Sequence, residues 1–486
     1  MRKQNNSRNR GNSKPQNKKF TAKCDNSTTE AVETRSRYND ISWYNANPEL
    51  LKTAGSLSFN NALGVNLTPE LSNYEGHFDD WNEVVTIPGI MALELCPTIG
   101  PTEQSSTVNV ASRKIYSYVR HQNSGHANYD APDLMLYMLA MDNLYSAYNW
   151  ITRAYGCIRL YNPFNRYYGK LLMRALNMDA DDLLTHGHDL YYSLLSWSAR
   201  LKTFFIPSTM SYLTRHAWLY SQIFKDDPDD KAQLYLFTPS VFYKWMENDQ
   251  SKWVLSPVKV SQENHAPWKY AELVDLMESM IAGVATSEDF NIMSGDIFKA
   301  YGNNTFTVSP VDISYIVEPT YSEEVLTQIH NARCVRNFVP GNIYTHPVLN
   351  YLTNDSTVTA VKSACQSHNV VIDLHSAVPS PEEVMIATRL TPGFRQSSSE
   401  DLGFYDQLAC SGSEIVTGIA LFDVGTIDSG VAYTYINTDW EIAGDLTKKR
   451  ELRSQLLANV EYSLAFKDFP IMYEVDTTKD ASGKIT

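Results

Sequence analysis

The chain has 486 residues, 43% hydrophobic and 12% aromatic, with a formal net charge of −14. That length exceeds what one core serves, so two or three domains are expected. No apolar run is long enough to span a bilayer: the most apolar window, residues 190–206, is broken by Arg200 and Lys202.

Residues 1–37 are low in complexity, rich in Asn, Gln, Ser, Lys and Arg, with almost nothing aliphatic before Phe20. Such a segment cannot bury enough surface to offset its ordering entropy and is expected to be disordered when free. Arg2, Lys3, Arg8, Arg10, Lys14, Lys18, Lys19 and Lys23 all precede the first acid, Asp25. Subtracting these eight positive charges from −14 leaves −22 for the remainder. A one-signed arm on an acidic body suits a polyanionic partner, here nucleic acid; a solvated tail without a partner is the alternative. Phe20 is the arm's one aromatic, so contact is expected with phosphates rather than bases. The arm lacks the apolar stretch of a secretory signal.

Residues 38–103 carry many turn formers and read as extended segments and short helices that reach onto a neighbouring chain. The centre of the chain is a helix after Asp130, with Asp130 as cap, Pro132 in the first turn and Asp133 at the positive end of the dipole. Leu134, Met138, Met141, Tyr145, Tyr148 and Tyr155 make its apolar stripe, and Pro163 stops it. Helices then dominate to residue 303. They are expected over 166–177, over 179–205, over a segment marked by Leu213, Ala217, Tyr220 and Phe224, after first-turn prolines at Pro239 and Pro267, and from Ser287 to Gly302. From 305 to 439 the texture changes to β-branched runs at 370–375, 384–390, 414–423 and 430–437, the last two forming a hairpin over a six-residue loop. Residues 396–403 read as an exposed loop. A helix returns over 446–465. The fold class is α+β: a mainly helical domain with a smaller β-rich one.

Chemistry-bearing patterns are sparse. The chain has no phosphate-binding glycine loop, no zinc-protease motif and no nucleophile elbow. His186 and His188 stand two apart in a helical pattern, on different faces, and read as surface polar groups rather than metal ligands. His121 and His126 flank the turn N-S-G, without a matching acid or thiol. Asp373, His375 and Ser376 are a weak triad fragment. Asp226, Asp227, Asp229 and Asp230 form an acidic turn that reads as a solvated loop. Six scattered cysteines read as buried free thiols rather than a disulfide framework. Thirty tyrosines suit protein–protein contact. No cofactor and no enzymatic activity are expected.

Many short blocks agree in order with one family. They are P-G-I-M-A-L (88–93), P-T-I-G (97–100), I-Y-S-Y-V-R-H (115–121), N-S-G-H-A-N-Y-D-A-P-D (123–133), R-A-Y-G (153–156), N-P-F-N-R-Y-Y (162–168), I-P-S-T-M (206–210) and R-H-A-W (215–218). Over residues 60–270 the chain resembles the shell region of picobirnavirus capsid proteins; beyond 300 the likeness is one of style, as in Y-S-E-E-V-L (321–326). The resemblance implies a picobirnavirus/partitivirus-like capsid fold, with a shell domain over 38–304, a protruding domain over 305–445 and a C-terminal helix returning to the shell within 446–486. It also implies a homodimer that closes an icosahedral T=1 shell around the viral RNA, in the virion and in host cytoplasm during assembly, with the arm facing the RNA. No host receptor is legible. The competing readings are an RNA-coating nucleoprotein without a closed shell and a hydrolase using His375 or His126.

Overall fold

Two short strands, Asn66–Leu67 (β1) and Val85–Thr86 (β2), pair antiparallel ahead of Ile90–Pro97 (β3). Every residue of β3 is buried, so it reads as the run IMALELCP rather than an alternation. The computed structural model describes residues 66–67, 85–86, 90–100, 103–125, 128–160, 168–226, 233–248, 252–262, 264–335, 340–345, 348–352, 373, 380–387, 413–427, 430–437 and 471–473. All of them belong to one unit, Asn61–Thr486. The basic arm, the 396–403 loop and the 446–465 helix lie outside the described residues.

Thr107–Gln122 (α1) leads into Ala131–Ile158 (α2), a 28-residue helix that starts where Asp130 and Pro132 place it. Asp133 Oδ2 accepts the Asp130 backbone N–H at 3.1 Å. The expected stripe is buried, but so is nearly the whole circumference, including Asp142, Asn143, Ser146 and Arg153. A helix buried all round is the centre of a domain rather than its flank. It ends at Ile158, short of Pro163.

Tyr168–Ala175 (α3) falls within the expected 166–177. The helix expected over 179–205 is two, Ala180–Thr185 (α4) and Gly187–Leu201 (α5), broken at His186. Tertiary contacts explain the break: Asp182 Oδ2 accepts the Tyr270 N–H at 2.7 Å, and the His186 ring stacks on Tyr270. Ser211–Ser221 (α6) ends before Phe224, which instead opens the short strand Phe224–Lys225 (β4).

The largest departure from the expected order follows. Pro239 starts no helix. It ends the strand Leu234–Pro239 (β5), which runs parallel to β3 with Leu95 opposite Pro239. Ser240 turns the chain into Val241–Glu247 (β6), which pairs with Trp253–Lys259 (β7). The aromatic and β-branched residues on either side of Thr238-Pro239 favour strand, and a proline at a strand's end forfeits no ladder bond within it. β6 is an edge strand, and α2 covers it: Tyr243 N–H donates to Asn143 Oδ1 at 2.9 Å.

Tyr270–Ala285 (α7) starts three residues after Pro267. Glu288–Tyr301 (α8) matches its signals, with Ser287 Oγ accepting the Phe290 N–H and Gly302 at φ 57° as the stop. Thr320–Tyr321 (β8) precedes Glu323–Asn331 (α9), capped by Ser322. Arg333–Val335 (β9), Asn342–Thr345 (β10) and Leu349–Leu352 (β11) follow. Pro381–Ala387 (α10) replaces part of the strand expected at 384–390. Its S-P-E-E start explains why: Ser380 and Glu383 exchange side-chain-to-backbone bonds at 3.2 and 3.0 Å, a capping box that outweighs the β-branched texture.

Glu414–Ile427 (β12) and Gly430–Asn437 (β13) form the expected hairpin, but with Ile427 opposite Gly430 the connection is two residues, not six. Ile471–Tyr473 (β14) is the last described element. The larger sheet runs β14-β9-β12-β3-β5-β4-β8, with β13 also on β12; the smaller runs β11-β10-β7-β6. β12, whose sequence texture groups it with 305–445, thus pairs over Glu414–Phe422 with β3 from the 38–103 segment.

Candidate functional site

Among the described residues, the polar side chains weighed for chemistry do not converge. His186 Nδ1 lies 3.0 Å from the Asp182 carbonyl, and His188 is exposed. His121 is exposed on α1. Asp373 pairs with Lys114 at 2.6 Å. Asp226 Oδ1 accepts the Gln233 N–H at 3.0 Å. His126, His375, Ser376, Asp227, Asp229, Asp230 and the eight arm cations lie outside the described residues. Among the described residues, no three His, Cys, Asp or Glu side chains could hold a metal ion together. No described helix is long and apolar enough to cross a membrane. Cys96 and Cys157 are buried free thiols.

The structure instead builds a cluster from residues not weighed for chemistry. Helix α6 carries Arg215 and His216 side by side, both buried. Burying a cation is costly unless it is paired and hydrogen-bonded, and both are. Arg215 donates through Nε and Nη2 to the Glu414 carboxylate, with Nε at 2.9 and 3.0 Å from the two oxygens. Its Nη1 donates to Gln328 Oε1 at 2.9 Å and rests 3.5 Å from Met385 Sδ. His216 Nδ1 lies 2.8 Å from Asp142 Oδ2, and Nε2 lies 3.7 Å from Glu414 Oε2, too far for a full hydrogen bond. Ser413 Oγ donates to Glu414 at 2.6 Å.

With both carboxylates ionised and His216 protonated, two cations face two carboxylates and the cluster is neutral as a whole. Burial works to raise the Glu414 pKa, yet Arg215 and His216 outweigh it and hold the group well below the usual carboxylate range. Burial raises Asp142, and attraction to His216 only partly offsets this. Burial lowers His216, but Asp142 and Glu414 outweigh it and raise the imidazole to about 9. None of the four charged side chains is more than 2% exposed, so no substrate could meet them. The cluster joins: it ties α2 and α6 to α9, α10 and β12.

A second buried cation does similar work. Arg153 on α2 donates to the Leu219, Gln222 and Phe237 carbonyls at 3.2, 2.8 and 2.6 Å. Two of these carbonyls sit at the C-terminal end of α6, where the helix dipole favours a cation. Burial lowers the Arg153 pKa to about 10, so it stays charged at neutral pH. One turn on, a Cβ at Gly156 would meet Tyr315 Cε1 at 2.7 Å and the Val317 backbone N at 2.9 Å. The block R-A-Y-G therefore places one buried cation and one close chain crossing. The N-S-G-H-A-N-Y-D block is positional too: Asn123 Nδ2 donates to the Asp296 carbonyl at 2.9 Å, and Tyr129 Oη donates to Asp296 Oδ2 at 2.7 Å. The signal for the cluster was present in R-H-A-W, an adjacent cation pair inside an apolar helical pattern.

Among the described residues, buried cations fasten separate elements together, an arrangement suited to a framework. The fold agrees: it is similar to the X-ray crystallographic structure of the picobirnavirus capsid, with a TM-score of 0.59 at 19% identity, covering 92% of each chain. In sequence, residues 43–343 match the picobirnavirus capsid protein family. The chain is also 30% identical over 415 residues, 78% of its length and 74% of the relative's, to the capsid protein precursor of human picobirnavirus (strain Human/Thailand/Hy005102/-). The chain belongs to the picobirnavirus capsid protein family. It is a structural protein of the virion that associates with copies of itself, and not an enzyme.

Proposed function

We propose that the chain dimerises and self-assembles into a small icosahedral T=1 shell around the viral RNA genome, with residues 1–23 binding that RNA through charge alone. The observation that carries this reading is the separation of charge on a capsid-family chain. Eight cations precede Asp25, and the remainder carries −22. A polyanionic genome is attracted to the first and repelled by the second. Assembly takes place in host cytoplasm.

Residues 38–304 supply the shell, 305–445 the outward domain, and 446–486 the helix that returns. The pairing of Glu414–Phe422 with β3 supports an outward domain that is rooted in the shell sheet through β12. The test is negative-stain imaging of the purified full-length protein together with its absorbance ratio at 260 and 280 nm. Closed, RNA-loaded shells are expected; filaments along RNA would mean a nucleoprotein instead.

A further inference from the structure

The buried cluster is more than static packing. Three elements from the late part of the chain meet α2 and α6 through it, each by one side chain: Gln328 from α9, Met385 from α10 and Glu414 from β12. All three reach the same guanidinium. That guanidinium is neighbour to an imidazole whose two nitrogens face Asp142 and Glu414. The imidazole is the one cationic member that can give up its proton under mild conditions, because a guanidinium stays charged. Once it is neutral, two carboxylates share one cation in a sealed site, and a buried net charge is costly.

We propose that Asp142, His216, Glu414 and Arg215 form a proton-operated latch. While it holds two positive and two negative charges, β12, α9 and α10 stay fastened to α2 and α6; loss of the His216 proton unfastens them.

The other groups around His216 do not compete in the same pH range. On α6 itself, burial pushes the Tyr212 and Tyr220 hydroxyls well above their ordinary value. From β3, burial pushes the Cys96 thiol up to about 12. On α2, burial lowers Arg153 only to about 10. From α9, Gln328 does not titrate and leads on to Glu324, whose Oε1 accepts from Gln328 Nε2 at 3.0 Å. α10 presents the uncharged Met385.

The direction follows. The His216 pKa is about 9 in the folded chain against an ordinary 6.5. Its stabilisation is therefore fully present below 6.5, falls through the window up to about 9, and is gone above it. On the acid side the two carboxylates oppose each other. Asp142, raised, takes a proton first, while Glu414, depressed, keeps its pairs far down in pH. Release belongs to the alkaline side.

The test is amide hydrogen exchange of the full-length protein, corrected for intrinsic rate, between pH 6 and 10. The peptides compared are Glu323–Asn331 and Glu414–Phe422, with Tyr270–Ala285 as the reference. Protection of the first two should fall about tenfold per pH unit within the window and then level off, as one released proton requires. Asp142→Asn removes the main attraction on His216 and should move the fall to lower pH. The pair Asp142→Asn with His216→Gln should abolish it. The proposal is overturned by flat protection in the unmodified chain, by an unshifted fall in Asp142→Asn, or by a reference helix that opens in parallel. If the double variant does not fold, the shift in Asp142→Asn decides.

Discussion

Arg215 and Glu414, 199 residues apart in sequence, form a bidentate ion pair in which neither side chain is more than 2% exposed. Geometry of this kind is what a buried pair needs if its attraction is to offset desolvation. It fixes the second turn of α6 to the first residue of β12, and so the late hairpin to the helical part of the chain.

Removing one partner leaves the other buried and unpaired. Arg215→Ala should lower unfolding stability by about 3–5 kcal/mol. Replacing both, as Arg215→Met with Glu414→Leu, should recover most of that loss, because no charge is stranded. Urea titration of the soluble subunit measures both, and equal losses for the single and double variants would mean that the pair is not the fastener.

Gly156 and Gly295 both lie in helices but should respond in opposite ways. A Cβ at Gly156 would press on the Val317 backbone, whereas at Gly295 nothing lies within 4 Å. Gly156→Ala should cost about 1–3 kcal/mol through overpacking. Gly295→Ala should stabilise by up to about 1 kcal/mol, since alanine restricts the unfolded chain and favours helix. Thermal melts of the two variants beside the parent chain give the comparison.

An outward domain within 305–445 should tolerate insertion at its loops. A short epitope tag after Ser398 should leave particles intact and be reached by antibody. A tag that is hidden in intact particles, or that abolishes soluble protein, would contradict the domain assignment.

Sequence punctuation located the helices that carry their own signals. Asp130 and Pro132 start α2, and Ser287 and Gly302 bound α8, because capping is local chemistry. The strands β5 and β6 were missed. Their residues are apolar on both sides of a proline, and what makes them strands is the partners alongside: β3, whose paired residues lie 144 positions before those of β5, and β7, which pairs with β6. The same reason hid the cluster. R-H-A-W showed two cations in an apolar helix, but their partners, Asp142 and Glu414, lie on elements far away in sequence. Spacing along a chain reveals only partners within a turn or a strand.

On the proposed function the arm holds the RNA and the rest of the chain builds the shell. Deleting residues 1–23 tests both halves at once. Purified particles of the deleted and full-length chains are imaged, and their absorbance ratio at 260 and 280 nm is recorded over a salt series. Particles should persist without the arm while their RNA is lost. For the full-length chain, binding to single-stranded RNA should weaken with a log–log salt slope of about −5, if most of the eight cations engage phosphates at about −0.7 each. Particles that keep their RNA after the deletion, or a full-length chain that remains monomeric at every salt concentration, would contradict it.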